Sequence, residues 1–298
     1  MLAASKTFRD GAIGQLLNRL VGSIERQKML DKVSQPIADA VHQVTAPGVV
    51  KNLLSGSWLG HQLHPVLTDL PIGFWTSAVT LDTVGGDDAE AAADLLVAAG
   101  NLSALGAAVT GLSDWSDLYG EPQRTGLVHA AVNVVALSLF TLSSAARHAG
   151  NRSVGKALAL AGGGTVTAGA YLGGHLVYRW GSGVTHSGFD IQSNLSRWRK
   201  ALPEADLVDG KPATADVRGE QVFLLRQGGQ ISALANQCGH MGGPLNEGEI
   251  KDGTVICPWH GSTFLIADGC VLRGPATLPQ PVLEARVTDG IVEVRARP

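Results

Sequence analysis

Cys238-Gly239-His240-Met241-Gly242 and Cys257-Pro258-Trp259-His260-Gly261-Ser262 decide how the C-terminal part of this chain is read. Each stretch places a thiol and an imidazole within a few residues, so one short loop presents both in the same direction. The two pairs, Cys-x-His and Cys-x-x-His, are held 16 residues apart. By donor type alone the set suits a tetrahedral zinc ion. It suits equally a two-iron, two-sulfide cluster with both thiolates on one iron and both imidazoles on the other.

Outward from these loops the sequence reads as short strands. Candidates are 221–225, 231–235, 254–256, 263–266, 282–286 and 291–294, with glycine turns at Gln227-Gly228-Gly229, Lys251-Asp252-Gly253, Ala267-Asp268-Gly269 and Thr288-Asp289-Gly290. A small all-β domain over 201–298 is predicted, with each ligand pair directly after a strand.

The composition changes sharply upstream. The chain has 298 residues, enough for two domains. From Pro65 to Tyr178 it is poor in charge and rich in Ala, Leu, Val and Gly, whereas residues 200–298 hold 9 Lys or Arg against 12 Asp or Glu. Nothing is basic enough to suggest nucleic acid as a partner. Three cysteines, two of them in the ligand pairs, leave Cys270 over and no internal disulfide, which fits a reducing compartment. Cys270 itself is read as a structural, buried thiol. No secretory signal is read in the first 30 residues.

Residues 8–44 carry Ile13, Leu16, Leu17, Leu20, Val21, Ile24, Val33, Ile37 and Val41 at helical spacing, with Arg and Lys between them. One or two amphipathic helices are predicted within a 1–55 N-terminal region, lying on an anionic membrane surface or packing on the protein. Four apolar segments follow, at 66–84, 91–112, 126–145 and 154–178. Each is close to the roughly 20 residues that cross a bilayer. Gly162-Gly163-Gly164, Gly169 and Gly173 put the fourth against its neighbours. The expectation is a four-helix transmembrane domain over 56–182, then a connector at 183–200. A soluble, unusually apolar bundle is the alternative. Charge bias before the first segment places the N-terminus in the cytoplasm, while Arg147, Arg152 and Lys156 argue the other way. With an even number of crossings the β domain lies on the side of the N-terminus, giving a multi-pass protein of the bacterial inner membrane.

The motifs Cys-x-His-x-Gly at 238–242 and Cys-Pro-x-His-Gly-Ser at 257–262 resemble the Rieske [2Fe–2S] family, over about 202–298. That resemblance implies Cys238 and Cys257 on an inner iron and His240 and His260 on an outer, more exposed one. It also implies a third, proline-containing loop at Gly274-Pro275. The branch found in respiratory complexes has two further cysteines that tie the loops by a disulfide, and Gly243 and Trp259 stand in their places. Its serine is present as Ser262, but its tyrosine is Phe264, which lacks a hydroxyl to donate. Fewer donors leave more charge on sulfur and lower the potential. The resemblance is therefore to the ferredoxin or dioxygenase type rather than to quinol-oxidising centres.

The run His61-Gln62-Leu63-His64-Pro65 through Pro71-Ile72-Gly73-Phe74-Trp75 to Asp82 resembles a family of small bacterial four-helix membrane proteins of unassigned function, over about 56–182. Alternating crossings put His64, Asp114, His129 and His175 on one membrane face. Such groups are often functional, and paired histidines are ligands of haem b. A haem or quinone site at these residues is one reading, and histidines hydrogen-bonded to Asp114, Asp69 or Trp115 the other.

Together these readings describe a membrane-anchored iron–sulfur protein carrying single electrons to or from a redox protein partner. An oxidoreductase subunit using haem or quinone, and a non-catalytic redox-sensing or structural module, are the alternatives. Whether the chain forms a homo-oligomer is left open by the sequence.

Overall fold

The computed structural model describes residues 12–45, 48–188 and 190–297. In chain order the elements are α1 (Ala12–Glu25), α2 (Asp31–Thr45), α3 (Val49–Ser55), α4 (Leu63–Val84), α5 (Glu90–Trp115), α6 (Glu121–His148), α7 (Arg152–Trp180) and α8 (Ile191–Asn194). Ten strands follow: β1 (Arg199–Pro203), β2 (Pro212–Val217), β3 (Glu220–Gln227), β4 (Gln230–Ala235), β5 (Glu249–Lys251), β6 (Thr254–Ile256), β7 (Thr263–Leu265), β8 (Val271–Arg273), β9 (Val282–Thr288) and β10 (Ile291–Ala296). The chain is multidomain, a helical region followed by an all-β domain. It divides into two compact units, Met1–Val44 with His64–Trp180, and Thr45–Leu63 with Gly181–Pro298.

In the helical unit all four apolar segments are long helices. Their packing centre is a stacked aromatic pair, Trp75 of α4 on Phe140 of α6, with ring centroids 4.4 Å apart. Missing side chains make room for it. A Cβ at Gly100 of α5 would collide with the Trp75 indole, and one at Gly162 of α7 would lie 2.7 Å from the Phe140 ring. Gly155, Ala159, Gly162 and Gly169 form the buried stripe of α7, the small-residue packing expected of helices in lipid. Outward faces carry Leu95, Leu102, Leu105, Val134, Leu142 and Leu160, each more than half exposed. One end is closed by charge. Arg147, 1 % exposed in its side chain, pairs with Asp82 and Asp94, and Arg152 pairs with Asp94 and Glu90.

The predicted amphipathic stretch forms α1 and α2; its residues 8–11 lie outside the described ones. It packs on the protein through Val21, Ser34 and Ala38, with Asp31 paired to Arg124 at 2.7 Å, yet leaves Ile13, Leu16, Leu20 and Val33 at least half exposed.

In the second unit the strands form a six-stranded sheet, order β1-β10-β9-β4-β3-β2, and a four-stranded sheet, order β5-β6-β7-β8. Every strand pair in the two sheets is antiparallel. Successive strand residues face opposite sides, so the run Val222-Phe223-Leu224-Leu225 in β3 serves two cores. Val222 and Leu224 join a core with Leu283, Val292 and Val294. Phe223 and Leu225 join another with Leu234, Val255 and Phe264, and with the two cysteines of the ligand pairs, Cys238 and Cys257. The residues read as a connector are partly packed: Ile191 and Leu195 are buried in the first core. Hairpin turns have the positive φ that their sequences call for, at Gly228-Gly229, Asp252-Gly253 and Asp289-Gly290.

Candidate metal centre

The loop after β4 and the loop after β6 share one backbone design. In each, the cysteine N–H donates to a carbonyl five residues on, Cys238 to Gly243 and Cys257 to Ser262, both at 2.8 Å. In each, a glycine four residues on returns its N–H to the cysteine carbonyl, Gly242 at 2.8 Å and Gly261 at 3.0 Å. Both glycines have positive φ, 77° and 73°, which a side chain would oppose. The histidine sits two residues after the cysteine in one loop and three in the other. The two turns present their rings to each other, edge to face, with centroids 4.9 Å apart.

Burial separates the donors into an inner and an outer pair. Cys238 and Cys257 are 1 % and 3 % exposed, while His240 and His260 are half-buried. The two sulfurs hydrogen-bond each other, and each also receives backbone N–H groups, from His240 and Met241 on Cys238 and from Trp259 and His260 on Cys257. The Cys238 hydrogen bond pulls the Cys257 thiol down to about 7, and the same bond together with burial pushes Cys238 up. The pair thus gives up its first proton readily, as a thiolate ligand must. Among the described residues no three His, Cys, Asp or Glu side chains converge on one point. Two soft donors inside, two imidazoles outside and N–H groups aimed at sulfur fit a two-iron cluster better than one tetrahedral ion.

The surrounding residues are placed as follows. Ser262 is fully buried and its hydroxyl oxygen accepts the Ala276 N–H at 2.9 Å. Phe264 is fully buried and Trp259 is 55 % exposed. Gly274 and Pro275 are buried and joined by a cis peptide. A Cβ on Gly243 would lie 2.9 Å from the Cys257 sulfur and 3.1 Å from the Trp259 ring, so the two loops meet where Trp259 lies on Gly243. All three cysteines are free thiols, and Cys270 is exposed rather than buried.

Several contributors escaped the sequence reading. Asn52 of α3 accepts the Gly274 N–H at 2.7 Å. His186 donates its backbone N–H to the Gly239 carbonyl at 2.9 Å. Gln280 is 1 % exposed and bonds the backbone on both sides of Cys238. No spacing signal marks them, since each acts through main chain far away in sequence.

The helical-unit residues form hydrogen bonds other than those expected. His64 Nδ1 pairs with the Ala107 carbonyl at 2.9 Å, and its ring occupies a notch at Gly111. His129 Nδ1 pairs with the Gly169 carbonyl at 2.9 Å, and Asn133 lies 3.1 Å from its Nε2. His175 Nε2 pairs with Glu25 at 3.0 Å, and Trp180 donates to the same oxygen. Asp114 is also engaged within the protein. Of the three partners expected from sequence, Asp114, Asp69 and Trp115, neither Asp69 nor Trp115 takes part in the bonds just described.

Comparison with known proteins matches the family described as Rieske [2Fe-2S] domain to residues 197–284 and the family described as predicted membrane protein (DUF2231) to residues 60–186. Apoptosis-inducing factor 3 of Homo sapiens is 38% identical over 91 residues, 30% of this chain and 15% of that protein. The chain therefore spans only a small part of this relative's length. Ferredoxin CarAc of Metapseudomonas resinovorans is 30% identical over 98 residues, 33% of this chain and 92% of its own length. The anthranilate 1,2-dioxygenase ferredoxin subunit of Burkholderia cepacia is 29% identical over 103 residues, 35% of this chain and 95% of its own length.

Proposed function

We propose that this chain, which belongs to the Rieske [2Fe–2S] family through its β domain and whose residues 60–186 match a family described as predicted membrane protein, is a membrane-anchored one-electron carrier. Cys238 and Cys257 would hold one iron of the cluster, and His240 and His260 the other. The observation that carries this reading is the pair of matched loops, with buried sulfurs hydrogen-bonded to main chain and half-exposed imidazoles beyond them. The bound cluster supplies reversible one-electron exchange. The protein's own part is to keep water from the sulfurs, to fix both rings, and to leave the imidazole edge open to a partner. Ferredoxin relatives, one of them a dioxygenase subunit by name, support a redox protein as that partner.

Anchoring rests on two helices, Asp87–Trp115 and Glu121–His148, each containing an 18-residue stretch of mean hydropathy 1.7 and long and apolar enough to cross a membrane. α4 and α7 accompany them, giving four crossings of a bacterial inner membrane with the β domain in the cytoplasm. The histidines of the bundle are structural, each occupied by a protein partner.

The test is purification in detergent with metal and sulfide analysis. Iron and acid-labile sulfide in equal amounts, lost on Cys257→Ser, support the carrier. Zinc, or a chain that stays in the aqueous phase of a detergent partition, removes one half of it. A Soret band in the same preparation would reassign the bundle histidines to haem.

A further inference from the structure

The two matched loops differ at the residue after the cysteine. In the loop after β6 it is Pro258, whose ring fixes its own φ and which has no N–H to satisfy. In the loop after β4 it is Gly239, the residue with the greatest backbone freedom. Yet Gly239 joins Cys238 to His240, so its conformation sets the angle between them.

Both backbone groups of Gly239 are held from outside its loop. The carbonyl accepts the His186 N–H at 2.9 Å, and the N–H donates to Gln280 Oε1 at 3.1 Å. The rest of the Gln280 amide is used equally fully: Nε2 donates to the Ala235 carbonyl at 2.8 Å and to the Gln237 carbonyl at 2.5 Å. A primary amide offers two donors and one carbonyl acceptor, and here two carbonyls and one N–H, on either side of Cys238, meet them. Gln280 is itself rigid, flanked by Pro279 and Pro281, with its own N–H on the Gly269 carbonyl at 2.8 Å.

We infer that Gln280 is a positioning residue for the Cys238–His240 pair, doing from the third loop what the proline ring does locally in the other. This rests on the cluster assignment above. A carboxylate at this position has no donor for the two carbonyls, and an aliphatic side chain satisfies none of the three groups. The effect therefore reaches the geometry of one ligand pair and leaves the other alone.

The experiment uses full-length protein with Gln280→Leu and Gln280→Glu, and with Leu283→Ala as a control that destabilises the adjoining core without touching the loop. Cluster loss to an iron chelator and the nitrogen couplings of the reduced cluster are measured alongside thermal unfolding. Loss faster by about 10-fold or more in both Gln280 variants, the scale of removing an outer partner of a ligand, is expected. One of two histidine couplings should change and the other stay. Failure of both variants to load while Leu283→Ala of similar melting temperature loads gives the same answer. Unchanged loss rate and couplings, or equal changes in Leu283→Ala, overturn the role of Gln280. A wild-type chain without iron and sulfide instead overturns the assignment beneath it.

Discussion

Asn52 accepts the backbone N–H of Gly274 at 2.7 Å, across 222 positions of sequence. The contact ties α3 to the third loop of the centre, and a Cβ on Gly274 would already be 3.0 Å from the Ser55 hydroxyl. Asn52→Leu keeps the volume and leaves that N–H without its acceptor. A loss of about 1–3 kcal/mol is expected for such a group, read as a lower melting temperature of the holoprotein. An unchanged melting temperature would mean that water replaces Asn52 at no cost.

Gly243 is required by the approach of the two loops. Gly243→Ala puts a methyl 2.9 Å from the Cys257 sulfur and 3.1 Å from Trp259. Overpacking of about 1–3 kcal/mol follows. The expected outcome is a chain with unchanged circular dichroism and reduced iron content.

Phe264 is fully buried in the core that holds both cysteines. Phe264→Tyr adds a hydroxyl donor within that core, and a donor to sulfur favours the reduced state. Protein-film voltammetry should give a higher midpoint potential than wild type. A lower or equal value would mean that the hydroxyl does not reach sulfur.

Arg147 and Asp82 bury a charge pair at one end of the bundle, 1 % and 3 % exposed. Arg147→Met leaves Asp82 without its main partner, at a cost of about 3–5 kcal/mol, whereas Arg147→Met with Asp82→Leu should recover most of it. Unfolding in mixed micelles measures both.

Much of the β domain was legible, and the strands that were missed share one cause. The six strands found from sequence, β3, β4, β6, β7, β9 and β10, are the interior strands of the two sheets. The four missed, β1, β2, β5 and β8, are the edges of those sheets. An edge strand has fewer neighbours to bury against and tolerates proline and charge, so Arg-Lys-Ala-Leu-Pro in β1 and Pro-Ala-Thr-Ala-Asp-Val in β2 carry little of the apolar signal. The four ligand positions were visible because soft donors at fixed spacing are rare. Asn52, His186 and Gln280 were not, because a side chain or backbone group acting on distant main chain leaves no local pattern. The bundle histidines show the converse: their partners, the Ala107 and Gly169 carbonyls and Glu25, depend on helix packing that spacing does not specify.

Trp198 reports on the β9–β10 pair of the six-stranded sheet, through Arg286 and Arg295. Arg286 lies over its ring at 4.1 Å and Arg295 at 4.7 Å. The hydrogen bond from Arg286 holds the Glu293 carboxyl below its usual 4.5. A lowered carboxylate stabilises the fold above its unfolded value and ceases to as pH falls through the folded one. Trp198 fluorescence, taken as the difference from Trp198→Phe, should be flat from neutral pH down to about 4.5 and change only below it. Glu293→Gln should abolish that step.

The most direct measurement is low-temperature EPR of the reduced, detergent-purified chain, with nitrogen couplings resolved by pulsed methods. Two inequivalent histidine nitrogens on a reduced [2Fe–2S] centre are expected, lost with His240→Ala or His260→Ala. A silent spectrum in protein that contains zinc, or a cluster signal without nitrogen coupling, would contradict the mixed ligation on which the electron-carrier account stands.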